Sequence, residues 1–345
     1  MSAAPLHWLI GLLFGGYALS FALVAAALRY SHRRGLLDQP GQRRSHSAAT
    51  PRGGGIGVVL AWLVGLLALA ASGRIGALHA SALAVALLAV AGIGWLDDHR
   101  PQRVSLRLVV QAVGCVVLAL GVLGLPSGLW AWALLALAVL MLMTAINFTN
   151  FMDGSNGMVT IQALAAAALM MLLAAARNQW PTAWLCALLI GTLAGFLPYN
   201  LPRAKIFLGD VGSGGIGLLL GALILFGVSQ GALRPVEGVL ATSALWLDAG
   251  LTLAWRIASG KRWYRAHREH LFQWLIRSGW SHGAVALAYL GWTLLAATPM
   301  LVLLFLHQVG ELQALLTVAG VGVATWLLAR RLLLRQAAVP SHEKP

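Results

Sequence analysis

Acidic residues are rare in this sequence, and most of them lie in short polar segments between long apolar runs. Only ten of the 345 residues are Asp or Glu. Two of them, Asp97 and Asp98, are adjacent at the end of an apolar run. Neighbouring carboxylates there are costly unless a cation neutralises them. Because Mg²⁺ prefers carboxylate and phosphate oxygens, the pair indicates a divalent-cation site, although a solvated helix end would also place acids there.

A second polar segment, 147–157, combines amide and carboxylate side chains. Asn147, Asn150 and Asp153 recur at every third position, which puts them on one face of a helix. The Asp-Gly and Asn-Gly pairs at the end of the segment predict turns. A row of side-chain oxygens on one helix face is a plausible ligand set for a hard cation. An ordinary polar loop is the alternative.

Glycines surround Asp210 just before another apolar run, in the segment from Asn200 to Gly215. Such a loop lets backbone N–H groups approach a phosphate at the start of a helix. Asp210 would then hold a metal ion that bridges the phosphate. Phe207 could stack on a nucleobase or anchor the chain at the membrane interface, and the sequence favours neither.

Basic side chains provide three candidate anion sites. His267, Arg268 and His270 lie in an arginine-rich segment, and such a cluster offers donors for phosphate oxygens. No cysteine is near, so a zinc site is disfavoured, while a plain basic loop is the alternative. Arg52 precedes three glycines and could clamp an anion. Arg107 begins an apolar run and could bind a lipid phosphate, or its side chain could simply reach the interface.

The elements that must position these residues are eleven apolar segments. The sequence is 59% hydrophobic and 10% charged, whereas soluble domains are about 25% charged. Several runs approach the ~20 residues needed to cross a bilayer. We therefore predict an all-α polytopic membrane protein with a single domain over residues 1–345. The predicted helices cover 6–28, 54–71, 79–96, 105–124, 129–146, 158–176, 182–199, 214–229, 236–255, 283–306 and 312–334.

The distribution of basic residues predicts the orientation. With the N-terminus periplasmic and the C-terminus cytoplasmic, 21 of the 24 Lys and Arg residues lie on the cytoplasmic side. Basic loops at the inner leaflet explain the net charge of +14 without nucleic acid. Asp248 lies within a predicted span and has no assigned role. The cytoplasmic segments predicted to form the active site are 29–53, 97–107, 147–157, 199–214 and 256–282.

In this order, the motifs resemble those of the polyprenyl-phosphate N-acetylhexosamine-1-phosphate transferase family. The segments that carry the resemblance cover nearly the whole chain: Pro40–His46, Asp97-Asp98, Arg107–Gln111, Asn147–Gly157, Asn200–Ser213 and His267–His270. The sequence His-Arg-Glu-His replaces the three histidines of the peptidoglycan (MraY) branch, so the chain is more similar to the WecA- and WbpL-like initiators of O-antigen synthesis. Arg107 stands where the family has a lysine, which leaves its role toward the lipid phosphate open.

The resemblance implies a role for each candidate side chain. The implied metal ligands are Asn150 and Asp210, for Mg²⁺ with Mn²⁺ as a possible substitute. The candidate catalytic carboxylates are Asp97, Asp98 and Asp153. The candidate substrate-binding residues are Arg52, Arg107, Asn147, Asn200, Phe207, His267, Arg268 and His270. Within this set, Asn200 and Phe207 resemble residues that contact uracil, and the histidine segment resembles a loop over the diphosphate.

The implied reaction is the Mg²⁺-dependent transfer of an N-acetylhexosamine 1-phosphate from a UDP-sugar to undecaprenyl phosphate. UMP leaves, and the product begins a lipid-linked, O-antigen-like polysaccharide. The implied location is the bacterial inner membrane, with the active site facing the cytoplasm. The expected partners are the two substrates and membrane lipid, without nucleic acid, and a homo-oligomer is compatible with the sequence. The alternative is a transporter or flippase of an anionic or lipid-linked solute, which would place ionisable groups near the bilayer midplane.

Overall fold

The computed structural model describes residues 4–38, 49–262 and 267–338 of the chain. These residues are mostly helical, and a five-residue π-helical turn, Thr293–Ala297, joins two of the helices. The helices are α1 (Ala4–Arg34), α2 (Gly55–Ala71), α3 (Ala77–His99), α4 (Val104–Leu123), α5 (Leu129–Met152), α6 (Met158–Ala176), α7 (Trp180–Asn200), α8 (Gly209–Ser229), α9 (Pro235–Ala241), α10 (Ser243–Ala258), α11 (Leu271–Arg277), α12 (His282–Trp292), α13 (Thr298–Phe305) and α14 (Glu311–Ala338). Two short strands, β1 (Leu37–Asp38) and β2 (Thr50–Pro51), pair antiparallel.

Within the described residues, nine helical segments are long and apolar enough to cross a membrane. One of them, His282–Phe305, contains α12, the π-helical turn and α13. The bent pair α9–α10 makes a tenth if it counts as one span, and α2 is an apolar helix of 17 residues. Each predicted apolar segment therefore lies on helix, and the prediction of an all-α polytopic membrane protein is confirmed. The orientation of the termini stays a prediction.

The predicted span 236–255 is wrong as a single helix, because the chain bends by 83° between α9 and α10. Thr242 lies at the bend, and its Oγ1 donates to the carbonyl of Gly238 at 2.8 Å. The same carbonyl also accepts the backbone N–H of Thr242 at 3.2 Å, so the backbone and the side chain of Thr242 both bond back to the last turn of α9. Several other helices are longer than the sequence pattern predicts, and two of these extensions matter for the site. Helix α5 continues to Met152 and α8 begins at Gly209, so that the asparagines and Asp210 lie on helix.

Helix α8 is the centre of the bundle, since it packs against α2, α3 and α5 and is buried from Val211 to Gly227. Glycines allow the close approach. A Cβ on Gly55 of α2 would lie 2.1 Å from the Cα of Gly212, and a Cβ on Gly94 of α3 would lie 2.5 Å from the carbonyl oxygen of Asp210. Small residues let membrane helices come into backbone contact. The start of α8 is thereby fixed against the end of α3.

A buried ion pair lies at the end of the bundle opposite the start of α8. Both carboxylate oxygens of Glu237, which is fully buried, lie 2.6 Å from guanidinium nitrogens of Arg177. Glu237 also accepts a hydrogen bond from the backbone N–H of Arg234 at 2.8 Å. The pair ties the start of α9 to the residue that follows α6. Because α8 has 21 residues, this end lies about 30 Å from the start of α8.

Candidate active site

Asp98 fixes the first turn of α8. Its Oδ1 accepts a hydrogen bond from the N–H of Asp210 at 3.0 Å, and its Oδ2 accepts one from Val211 at 3.1 Å. A carboxylate at this position satisfies free N–H groups and interacts favourably with the helix dipole. Gly209 has a φ of +74°, and a Cβ there would lie 2.5 Å from Asp98 Oδ2. Asp98 therefore determines where Asp210 lies.

Arg107 bridges two of the predicted site carboxylates. Its Nη1 lies 2.9 Å from Asp97 Oδ2, and its Nη2 lies 3.0 Å from Asp210 Oδ2. Asp97 also accepts a hydrogen bond from the N–H of Gln102 at 2.6 Å. A planar guanidinium can hold two carboxylates side by side because its donors form a fixed fork. The end of α3, the start of α4 and the start of α8 thus meet at one arginine.

The two predicted metal ligands are in direct contact, although they lie 60 positions apart in the chain. The Nδ2 of Asn150 donates to Asp210 Oδ1 at 3.0 Å and to Ser213 Oγ at 2.8 Å. This arrangement leaves the amide oxygen of Asn150 for another partner. Asn147, one turn earlier on α5, donates to Gln111 Oε1 at 3.2 Å and to the carbonyl of Met143 at 2.8 Å. Asn147 therefore ties α5 to α4.

Asp153 follows the last residue of α5 and is half-buried. Burial raises the pKa of its carboxyl well above the ordinary value, and the charges of Asp210 and Asp98 raise that pKa further. Asp153 makes no side-chain hydrogen bond within the described part of the chain. Three carboxylates from three chain segments therefore face one another closely enough to repel. A cation would relieve this repulsion.

The donor set is suitable for Mg²⁺. Among residues 4–38, 49–262 and 267–338, no group of three or more His, Cys, Asp or Glu side chains is already arranged to hold a metal ion. Mg²⁺ commonly takes one or two protein carboxylates and completes its shell with water and substrate phosphates. Asp210 and the free amide oxygen of Asn150 fit this pattern. The carboxylates of Asp97, Asp98 and Asp153 lie close to Asp210 and add further oxygens to the site.

The segment before α2 runs along the loop that precedes α8. The N–H of Phe207 donates to the carbonyl of Pro51 at 2.8 Å, and the N–H of Gly54 donates to the carbonyl of Phe207 at 2.9 Å. The Nη2 of Arg52 donates to the backbone carbonyl of Asp98. Arg52 and the half-buried Phe207 are thereby held beside the cluster of site carboxylates that includes Asp98 and Asp210.

Asn200 has a structural contact at each end of its amide. Its Oδ1 accepts from the N–H of Gly157 at 2.5 Å, and its Nδ2 donates to the carbonyl of Ile206 at 3.1 Å. The side chain is buried. Asn200 therefore joins the turn before α6 to the loop before α8, and its predicted contact with uracil stays a prediction.

The histidine loop, residues 267–270, lies against the end of α5. The rings of His267 and His270 have centroids 4.9 Å apart, and the His270 ring lies 6.2 Å from that of Phe151. Burial lowers the pKa of both imidazoles, and that of His267 falls to about 4. Both rings are therefore neutral at pH 7, and each has one donor and one acceptor nitrogen. Arg268 lies between them, and its carbonyl accepts a hydrogen bond from Arg277 at 2.7 Å.

The structure thus brings together the residues predicted from α3, α4, α5 and α8, and it places the histidine loop beside them. The predicted segment Pro40–His46 lies outside the described residues. Sequence reasoning left Asp248 without a role, yet this buried acid contacts the N–H groups of Leu271 and Phe272, immediately after the histidine loop. Its position inside an apolar segment is the only signal that marks it in the sequence.

Comparison with known proteins agrees with this arrangement. Residues 80–228, which include the carboxylates of the site, match the model of glycosyl transferase family 4. A decaprenyl-phosphate N-acetylglucosaminephosphotransferase of Mycobacterium tuberculosis (strain ATCC 25618 / H37Rv) is 30% identical over 298 residues, which are 75% of this chain and 74% of the relative. A phospho-N-acetylmuramoyl-pentapeptide-transferase of Synechococcus sp. is 32% identical over 82% of this chain and 88% of its own length. An undecaprenyl-phosphate alpha-N-acetylglucosaminyl 1-phosphate transferase of Escherichia coli (strain K12) is 28% identical over 80% and 78%.

Proposed function

Since the chain belongs to glycosyl transferase family 4, we propose that it transfers an N-acetylhexosamine 1-phosphate from a UDP-sugar to undecaprenyl phosphate and releases UMP. The reaction would begin a lipid-linked polysaccharide of the O-antigen type at the cytoplasmic face of the bacterial inner membrane. The contact of 3.0 Å between Asn150 and Asp210 carries the proposal, because it joins the two predicted metal ligands across 60 residues. The relatives named for transfer to a polyprenyl phosphate support the acceptor.

Mg²⁺ is the metal ion that we propose for the site, with Asp210 and Asn150 as its protein ligands. When bound, it would neutralise charge on the diphosphate of the donor and on the departing UMP. Arg107 and Arg52 add fixed positive charge beside the same carboxylates. Both substrates are anions, so charge neutralisation is the main task of these residues.

The carboxyls of the site differ in what they are free to do. Both oxygens of Asp98 accept hydrogen bonds from α8, and both oxygens of Asp97 are paired with Gln102 or Arg107. The side chain of Asp153 makes no hydrogen bond in the described residues, and burial raises the pKa of its carboxyl, so it is the site carboxyl that is free to contact a substrate. We therefore assign any proton transfer to Asp153. The demand is small, because a phosphate with a second pKa of about 6 is mostly dianionic at pH 7.

The test is an assay with the purified full chain, undecaprenyl phosphate, Mg²⁺ and a panel of UDP-N-acetylhexosamines. We expect UMP and a lipid-linked sugar diphosphate with at least one donor, identified by mass, and we expect a chelator to stop the reaction. Asp210→Asn should remove turnover while the protein still inserts and purifies normally. If no donor in the panel yields UMP, or if Asp210→Asn turns over like the wild type, the proposal fails.

A further inference from the structure

Asp248 lies on α10 inside the bundle, and its carboxylate contacts the start of α11. Its Oδ1 accepts a hydrogen bond from the N–H of Leu271 at 2.9 Å, and its Oδ2 accepts one from Phe272 at 3.4 Å. These are the first two residues of α11, which directly follows His270. N–H groups at a helix start have no partner within the helix. The carboxylate supplies that partner from a residue 23 positions earlier in the chain.

Three side chains hold the Asp248 carboxylate in place. Thr252 Oγ1 donates to Oδ1 at 3.1 Å, Trp326 Nε1 donates to Oδ1 at 3.0 Å, and Tyr289 Oη donates to Oδ2 at 2.7 Å. These donors come from α10, α14 and α12. Asp248 is buried, and a buried carboxylate is stable only when it is hydrogen-bonded in this way. Its position is therefore set by the bundle and not by the loop that it contacts.

The same face of α10 contacts the histidine loop a second time. Asp248, Thr252 and Arg256 are spaced by four residues, so they lie on one face of the helix, and all are buried. Arg256 Nη1 lies 2.8 Å from Glu269 Oε1, and Nη2 donates to the carbonyl of Arg262 at 2.9 Å. Helix α10 thus holds residues on both sides of His267.

The side chain of Phe272, in the first turn of α11, packs against the segment that carries Asp153. A Cβ on Gly154 would lie 2.8 Å from the ring of Phe272, which is fully buried. Gly154 follows Asp153, so the residue that Asp248 fixes by its N–H also packs against the segment that carries Asp153. A continuous series of contacts therefore runs from Asp248 through Phe272 to the segment that carries Asp153.

We infer that Asp248 is a positioning residue for sugar-phosphate transfer: it fixes the start of α11 and so sets where His267 and His270 meet the diphosphate of the donor. The inference rests on the proposed function. Asp248 does not touch the reacting atoms. Its effect passes through the loop, and its charge is required because an amide in its place has only one acceptor oxygen, while its NH₂ group would face the same donors.

The experiment compares the purified full-length wild type with Asp248→Asn by hydrogen exchange and by kinetics. We expect the amides of Leu271 and Phe272 to exchange about tenfold faster or more in the variant. The amides of Asp210 and Val211, which Asp98 holds, serve as an internal reference and should not change. The KM for the UDP-sugar should rise by about tenfold, as expected for a misplaced charge-assisted contact, while the KM for undecaprenyl phosphate should stay constant.

Glu237→Gln is the matched control, because Glu237 is a buried, multiply bonded carboxylate at the opposite end of the bundle. It should lower the unfolding temperature without changing either KM or the exchange at Leu271. If Asp248→Asn does not accumulate, Tyr289→Phe removes a single donor and must produce a smaller change in the same direction.

Equal exchange of Leu271 and Phe272 in the variant and the wild type would overturn the inference, whatever the wild type catalyses. Equal changes in KM for Asp248→Asn and Glu237→Gln would also overturn it, because they would indicate general destabilisation. A wild type that releases no UMP, together with faster exchange in the variant, would instead reject the proposed function and, with it, the role of the loop in transfer.

Discussion

At the scale of single residues, Arg107 is the cation that holds the site together. It lies within 3.0 Å of both Asp97 and Asp210, which belong to different helices. The three side chains are only partly exposed, so solvent screens their attraction incompletely. Two parallel contacts from one guanidinium fix geometry as well as charge.

Arg107→Lys should lower kcat about tenfold or more. A lysine keeps the charge but cannot reach both carboxylates with a fixed fork, and a hydrogen bond to a charged group contributes about 1.5–3 kcal/mol. Steady-state kinetics with both substrates varied would measure the loss. A lysine variant with wild-type kcat would show that charge alone is sufficient at this position.

Phe207→Ala should raise the KM for the UDP-sugar about fivefold or more, because stacking of a base on an aromatic ring contributes about 1–3 kcal/mol. Phe207→Trp keeps an aromatic face and is the matched control. The KM for undecaprenyl phosphate should be unaffected in both variants. A loss of kcat with an unchanged KM for the UDP-sugar would argue against stacking.

The folded protein should become less stable as the pH falls from about 6.5 to about 4, in part because of His267. Burial lowers the pKa of this imidazole from 6.5 to about 4. Between these values the unfolded chain binds a proton that the folded chain does not, so protonation favours unfolding. Thermal unfolding of the wild type and of His267→Gln at pH 7 and pH 5 would measure how much stability each protein loses as the pH falls. The variant should lose less stability, and identical losses would contradict the assignment.

Sequence reasoning finds the candidate site residues and misses many of the contacts that orient them. Asp97, Asp98 and Asp210 stand out because acids are rare among apolar residues. The role of Asp98 as the cap of α8, and that of Asn200 as a link between two loops, depend on partners 112 and 43 positions away. Local spacing contains no information about such partners.

At the scale of helices, glycines determine how closely the elements that carry the site approach. Gly94→Ala should impair both stability and activity, because the new Cβ would lie 2.5 Å from the carbonyl oxygen of Asp210. Overpacking of this kind costs about 1–3 kcal/mol. Gly92→Ala, on the same helix with nothing within 4 Å of its added Cβ, is the control. The unfolding temperature and the turnover of both variants should be measured. Equal values for Gly94→Ala and Gly92→Ala would contradict the close contact between α3 and α8.

Hydropathy predicts the helices themselves well, and their ends and bends less well. Asn147 and Asn150 lie beyond the apolar run, which ends at residue 146, yet they continue α5, whose neighbours supply partners for both amides. The bend at Thr242 has no proline or glycine at the break itself. Hydropathy gives no signal of the bend, because α9 and α10 together are apolar enough to form one span.

At the scale of the whole molecule, the excess of basic residues on one side predicts that the carboxylates face the cytoplasm. Both native cysteines are buried, so single reporter cysteines can be introduced without replacing them. A membrane-impermeant maleimide added to intact cells should label Ser72→Cys and not Ser278→Cys. Both positions are exposed, and disruption of the membrane should make the second one reactive. The opposite pattern would invert the orientation.

The transporter alternative places a free ionisable group near the middle of the bilayer. Asp248 lies well inside a predicted span, and it already accepts five hydrogen bonds from four helices, its own among them. The remaining carboxylates of the site cluster at helix ends. The distribution of charge therefore favours an enzyme over a carrier.

Helix α8 is enclosed by its neighbours, since 94% of its apolar stretch is buried. A helix without lipid contact does not have to match the hydrocarbon thickness of the bilayer. Changes in acyl-chain length or detergent act first on the surrounding helices and reach Asp210 only by displacing them. The geometry of the candidate site should therefore tolerate a wide range of solubilising conditions, and inactivation on extraction from the membrane should coincide with loosening of the outer helices.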